Sequence, residues 1–243
     1  MPAASRRERH RAQTTAEIKA TALKHLVEEG AEAVALRGIA RDMGMAPGTF
    51  YSYFDTREAL LAALAADAYR DLAAHLRAAR DTHPATDPAA RALAHGLAYR
   101  AWALAHPQEF RLLFSGRARA PRADTAESAE AEYELCLGIV EIATTARAAG
   151  GEDGDGDGGA VDGGGSGGGS AYAWGDFDPA FTAVARAAFP DLTPAALALS
   201  LRVWGRMHGL VTLEIDGLLR PQIADPAVLY GDELRDLVRG LGL

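Results

Sequence analysis

The chain has one cysteine, Cys136, two lysines, Lys19 and Lys24, and no run approaching the roughly 18 consecutive apolar residues that a membrane span requires. A single thiol excludes an intramolecular disulfide and predicts a reducing, cytoplasmic setting. No membrane partner is expected, and the basic start, MPAASRRERHRAQ, lacks the apolar stretch of a secretory signal. Alternating apolar and polar stretches long enough for strands are missing too. So are a nucleophile with its base, paired carboxylates and a metal-ligand cluster, so neither a cofactor nor a metal is expected and an α-helical enzyme is disfavoured. What is present is a chain of 243 residues, 49% hydrophobic and 24% charged, enough for two modest domains with real cores.

The formal net charge of -8 argues against a nucleic-acid ligand only until its distribution is considered. Residues 150 to 178 carry seven acids (Glu152, Asp153, Asp155, Asp157, Asp162, Asp176, Asp178) and no Lys or Arg. Outside them, 25 bases face 26 acids. Near the start, Arg6, Arg7, Arg9 and Arg11 stand against Glu8 alone, a basic arm suited to phosphates. The acidic segment also holds 13 of the 26 glycines, too little apolar surface to offset chain entropy, so a disordered loop is expected over 150–176. Its Asp-Gly alternation lacks the spacing and closing Glu of an EF-hand loop.

Elsewhere the periodicity is helical. Thr14 or Thr15 is placed to cap a helix to about Glu29, with Ile18, Ala22 and Leu26 on one face. Short helices follow over about 36–43, stopped by Gly44, and from Pro47 to about Phe54. Asp55 or Thr56 caps a longer helix ending near His83-Pro84. Further helices are predicted from about Pro88 to Ala105, Pro107 to Phe114, Glu127 to Ala149, Phe177 to Phe189, Pro194 to Leu219 and Pro226 to Gly240. The protein therefore reads as all-α.

The stretch LRGIARDMGMAPGTFYSYF has the anatomy of a helix-turn-helix. Ala40 is small where two helices must cross closely. Pro47, Gly48, Thr49, Tyr51, Ser52 and Tyr53 are short or hydroxyl-bearing groups that can approach base edges and phosphates.

Residues 13–61 resemble the DNA-binding domain of TetR-type transcriptional regulators, whose run x-x-I-A-x-x-x-G-V-S-x-G-T-L-Y-x-H-F-x-x-K-E-x-L is matched in order and spacing by RGIARDMGMAPGTFYSYFDTREALL. The resemblance implies that Pro47, Gly48, Thr49 and Ser52 face bases, and that Tyr51, Tyr53 and Arg57 bond phosphates, with Arg37 a further phosphate contact. Ala46 and Ala35 stand where Ser and Thr usually cap helices, and Tyr53 and Arg57 replace His and Lys. Losing two caps costs ~1 kcal/mol each, which Pro47 offsets in part by fixing its helical turn.

From Leu197, the residues Leu201, Trp204, His208, Val211, Ile215 and Leu218 repeat in a heptad stripe, with Leu199, Val203, Leu210 and Leu213 roughly opposite. A helix apolar on two faces must bury both, one of them against a partner chain. Leu201, Gly205, Gly209 and Thr212 are the expected dimer contacts, because the glycines open a strip for close backbone approach. The segment WGRMHGL resembles a TetR subgroup marked by Trp, His and Gly in its C-terminal domain, and YRAWALAHPQEFRLLFSG has the same look. Tyr99, Trp102, Phe110, Phe114, Trp204 and His208 are the candidates for lining an effector pocket, although each also reads as plain core.

The expectation is an all-α chain: a three-helix helix-turn-helix domain at 1–60 with a basic arm, joined by a connecting helix to a helical ligand-binding and dimerisation domain at 61–243. It would act as a homodimeric repressor on a palindromic double-stranded DNA operator, released by an unknown small apolar effector. The alternative is a constitutive DNA-binding dimer.

Overall fold

The computed structural model describes residues 5–114, 126–149 and 172–243, and every regular element among them is helical. Helix α1 (Arg6–Glu29) begins well before the expected threonine cap. Ser5 is the cap: its hydroxyl accepts from the Glu8 amide at 3.2 Å, and the Glu8 carboxylate accepts from the Ser5 amide at 2.6 Å. These bonds hold the Glu8 carboxyl below its ordinary pKa. Thr14 and Thr15 lie inside the helix, where their hydroxyls donate back to the carbonyls of His10 and Arg11. The basic arm is thus the first turns of a helix.

Helix α2 (Leu36–Asp42) is followed by Gly44 at φ 63°, a left-handed turn position that favours glycine, and then by α3 (Pro47–Tyr51), shorter than expected. Helix α4 (Arg57–Arg80) opens where the Thr56 hydroxyl accepts from the Ala59 amide at 3.0 Å. Then come α5 (Pro88–Ala105), α6 (Pro107–Phe114), α7 (Ala126–Ala149), α8 (Pro179–Ala188), α9 (Pro194–Ile215) and α10 (Pro226–Gly240). Proline opens five of these six, as its fixed φ and missing N–H allow. Helix α9 stops short of Leu219, where Gly217 turns the chain at φ 73°. No helix among the described residues is long and apolar enough to cross a membrane.

The chain packs as two compact units, Met1–Asp71 with Ala103–Glu132, and Leu72–Trp102 with Tyr133–Leu243. Neither is one continuous stretch, so the expected division after residue 60 coincides with neither; α4, α5 and α7 each run from one into the other. In the first unit Ile18, Leu26, Val34, Ile39 and Phe50 are fully buried, α1 packs on α2 and α6, and α2 on α3. Ala40 is 3% exposed, as the tight helical corner demands.

The second unit is held together by α5, α9 and α10. The Tyr230 hydroxyl donates to the Gly96 carbonyl at 2.9 Å, and Gly96 is glycine because a Cβ there would lie 2.4 Å from the Leu234 side chain. Arg100 grips Glu214 through two parallel bonds, Nε to Oε2 at 2.7 Å and Nη2 to Oε1 at 2.5 Å, which raises the Arg100 pKa.

Most of the acidic Gly-rich segment, 150–171, lies outside the described residues, and with it the Asp-Gly alternation. Its last part departs from the expected disorder. Trp174–Asp176 forms a 3-10 turn, and Trp174 and Phe177 pack on a cluster of Val140, Ala185, Leu192, Ala196 and Leu197. The Arg186 guanidinium lies 4.8 Å from the centre of the Trp174 ring. Aromatic residues end the glycine run, and they have the apolar area to bury that glycine lacks.

Candidate nucleic-acid interface

Helix α3 turns Pro47, Gly48, Thr49 and Tyr51 to solvent and buries Phe50 completely. Ser52, just past its end, is also exposed. Neither α2 nor α3 has a side-chain cap, as Ala35 and Ala46 implied; the Ala46 carbonyl instead accepts from the amides of Thr49 and Phe50. Between the two helices the Met45 amide donates to the Ala40 carbonyl at 2.8 Å, closing the turn tightly.

Gly48 is informative. Its φ is not positive, and a Cβ built on it would meet nothing within 4 Å. The chain's own packing therefore gives no reason for a glycine at a helical position, where glycine costs roughly 1 kcal/mol relative to alanine. Absence of a side chain on an exposed helix face leaves room for close approach from outside.

Arg11 ties the start of α1 to the end of α3: its Nη2 donates to the Ser52 carbonyl at 2.9 Å, and its guanidinium lies 5.0 Å from the centre of the Tyr53 ring. Tyr53 is half-buried beneath it, whereas Arg37 is exposed. Sequence reasoning counted Arg11 among the basic residues but had no signal for this contact, because its partners lie more than forty positions away.

Arg57 is held by its own chain. Its Nε donates to the Val34 carbonyl at 2.9 Å and its Nη2 to the Ala31 carbonyl at 2.6 Å, so the guanidinium fastens the turn before α2 instead of reaching outward. Arginine's fork suits this double bond to backbone better than an ammonium would.

The six aromatic and histidine candidates for an effector pocket divide between the units. Phe110 and Phe114 pack together in the first, with ring centres 5.1 Å apart, and Phe114 meets Tyr69 edge-on. Trp102, 3% exposed, belongs to the core of the second. Tyr99, Trp204 and His208 meet there as well: the Tyr99 hydroxyl is 2.7 Å from His208 Nδ1, Thr212 Oγ1 is 3.3 Å from Nε2, and the Trp204 indole stacks on the imidazole at 5.1 Å. Burial lowers the His208 pKa, keeping the ring neutral with one nitrogen donating and the other accepting.

On α9, Val203, Met207 and Val211 face the core, while Leu201 is 46% exposed and Gly205 is open to solvent. The heptad stripe is therefore not one face: Leu197 and Val211 are fully buried, Leu201 is not, and Leu218 lies beyond the helix end. A Cβ at Gly205 or Gly209 would meet nothing within 4 Å.

Two family models match the chain, one described as bacterial regulatory proteins of the tetR family over residues 18–64, the other as a tetracyclin repressor-like C-terminal domain over residues 91–237. The chain belongs to the TetR family. The C-terminal match is described in general terms and assigns no Trp-His-Gly subgroup. Relatives include the HTH-type transcriptional regulators Rv1816 of Mycobacterium tuberculosis and Mb1846 of Mycobacterium bovis, each 36% identical over 104 residues. The aligned stretch spans 43% of this chain and 44% of each relative. Among solved structures, the regulatory protein SCO4313 is 31% identical with a TM-score of 0.66, covering 96% of this chain and 98% of that one. A protein of unknown function from Rhodococcus sp. RHA1 has the same fold, with a TM-score of 0.67 at 24% identity over 94% of this chain and 95% of its own.

Proposed function

We propose that this TetR-family protein is a transcriptional repressor that binds a palindromic double-stranded DNA operator as a homodimer and releases it on binding a small apolar effector. The observation that carries the DNA reading is the exposed face of α3, with hydroxyl groups at Thr49, Tyr51 and Ser52 around a glycine that no contact within the chain requires. Thr49 and Ser52 take base edges, Pro47 and Gly48 let the helix approach closely, and Tyr51, Tyr53 and Arg37 bond phosphates. Arg57 acts as an internal strut. A regulator of this kind works in the cytoplasm, where its DNA is.

The dimer reading rests on α9. Gly205 and Gly209 weaken the middle of a helix by roughly 1 kcal/mol each and fill no crowded space of their own chain. Leu201, Gly205, Gly209 and Thr212 then form a two-fold contact in which each backbone approaches its partner. Effector contact within the second unit falls to Tyr99, Trp204 and His208, beside the buried Trp102 of the same unit. The second reading, a constitutive DNA-binding dimer, draws on the partners already held by both His208 ring nitrogens.

Selection of binding sites from a random duplex library tests the proposal. Enriched sequences should be palindromes with half-site centres about 34 Å, one helical turn, apart, or a multiple of it. Failure to enrich any duplex would refute operator binding, and an operator complex that no small molecule dissociates would favour the constitutive dimer.

A further inference from the structure

Ser52, where α3 ends, is exposed, yet its hydroxyl proton is already committed. Its Oγ lies 2.7 Å from the Thr49 carbonyl oxygen. Two oxygens settle at that distance with a hydrogen between them, and a carbonyl has none to give, so Ser52 donates and Thr49 accepts. The hydroxyl keeps its two lone pairs and has no second proton. We propose that Ser52 reads the operator as a fixed acceptor, taking a hydrogen bond from the exocyclic amino group of an adenine or a cytosine in the major groove. This rests on the operator reading above and adds to it the kind of base atom that Ser52 selects.

The backbone around Ser52 holds this geometry. Ser52 keeps helical φ and ψ of -74° and -13°, and its amide donates to the same Thr49 carbonyl at 3.2 Å. The next amide, of Tyr53, donates to the Phe50 carbonyl at 2.9 Å, and the Phe50 side chain is fully buried, so this turn is fastened to the core of its unit. On the other side the Ser52 carbonyl accepts from Arg11 Nη2 at 2.9 Å, and the Arg11 guanidinium lies over the Tyr53 ring. The oxygen is thus placed before DNA arrives, and little ordering cost remains for binding.

The committed proton separates the two kinds of base atom. A contact with an amino group adds a hydrogen bond and leaves the bond to Thr49 in place. Donating to a base oxygen would require the hydroxyl to turn away from Thr49, exchanging one bond for another with no gain. The difference is about one hydrogen bond, or roughly five- to tenfold in affinity. In the major groove, adenine N6 and cytosine N4 are donors, while guanine and thymine present acceptor oxygens. Every base pair therefore carries both kinds of atom, and the preferred pair alone does not reveal which one Ser52 touches. Removing single atoms does.

Selection from a random duplex library is carried out with the parent protein and with Ser52→Ala, and the base pair whose preference relaxes in the variant is the one Ser52 meets. Operators are then made with one atom deleted at that pair. The amino group is removed by replacing adenine with purine or cytosine with 2-pyrimidinone, and the keto oxygen by replacing guanine with 2-aminopurine or thymine with 5-methyl-2-pyrimidinone. Comparing both proteins on the same duplex cancels the change in base pairing that each analogue brings. Loss of the amino group should weaken the parent about five- to tenfold more than Ser52→Ala, and loss of the keto oxygen should weaken the two equally. Alanine is a strong helix former, with circular dichroism as the folding control, and Ser52→Cys, whose sulfur accepts only weakly, should repeat the result. Coupling to the keto oxygen, coupling to neither atom, or a Ser52→Ala variant that selects the same sequences with the same ranking overturns the proposal. In each of these cases the parent has still selected an operator, so the operator reading stands; a parent that enriches no duplex refutes that reading, and the proposal with it.

Discussion

At the scale of single residues, the exposed hydroxyls of α3 are separable by what each would touch. Tyr51→Phe should weaken binding to every duplex by about 1 kcal/mol, one lost phosphate hydrogen bond, and leave sequence preference unchanged. Thr49→Ala should instead alter the ranking of operator variants, since a base-edge contact carries ~1–3 kcal/mol of discrimination. Competition binding with a panel of single-base operator variants separates them, and parallel losses across the panel for both would mean the recognition face is misassigned. Arg57 calls for a different measurement. With both its bonds on backbone carbonyls, Arg57→Ala should lower the unfolding free energy by about 1–3 kcal/mol yet leave the salt dependence of DNA binding unchanged. A salt slope reduced by about one unit would put Arg57 back on a phosphate.

At the scale of helices, the buried end of α4 makes stability depend on pH through His95. Its folded pKa of about 3, set by burial and by the Arg80 guanidinium 2.9 Å from its Nδ1, lies below the ordinary value of 6.5, so the unfolded chain binds the proton first. Stability is complete above about pH 6.5, falls as pH drops through the window between 6.5 and 3, and levels off below it. Within that window one group can contribute a slope of at most about 1.4 kcal/mol per pH unit. His95→Gln keeps an acceptor for Arg80 but does not titrate, so denaturant unfolding across pH 4–7 should show a shallower acid limb than the parent. Superimposable profiles would show that the His95 pKa does not differ between the folded and unfolded chain.

At the scale of the molecule, one helix-turn-helix makes too few contacts for tight specific binding, whereas two on a two-fold axis read a palindrome. Gly209→Arg places a long charged side chain in the proposed backbone approach on both subunits. It should give a folded, largely monomeric protein with greatly reduced operator affinity, because nothing within its own chain obstructs the new side chain's Cβ. Sedimentation analysis decides this: a helical dimer of unchanged stability moves the interface elsewhere, most plainly to α10 or α7.

Much of this fold is legible in local sequence because helix starts and stops are local chemistry. Proline at a first turn, Thr56 at a cap and Gly44 after α2 act within a few residues, so α5, α6 and α10 fall where the pattern puts them. The helix-turn-helix is legible for the same reason, its small, hydroxyl and aromatic residues lying within one short run. Even local signals can mislead when two compete: Thr14 and Thr15 resemble caps, but the reciprocal Ser5–Glu8 pair satisfies two amides and starts α1 earlier. What tertiary structure decided are the long-range pairings. Arg57 turning to Val34, Arg11 to Ser52, and Arg80 and Arg91 to Glu141 join residues 23 to 61 positions apart. Charge and periodicity along the chain do not encode which distant backbone or carboxylate a guanidinium will meet, because that depends on how the helices pack once their apolar faces are buried.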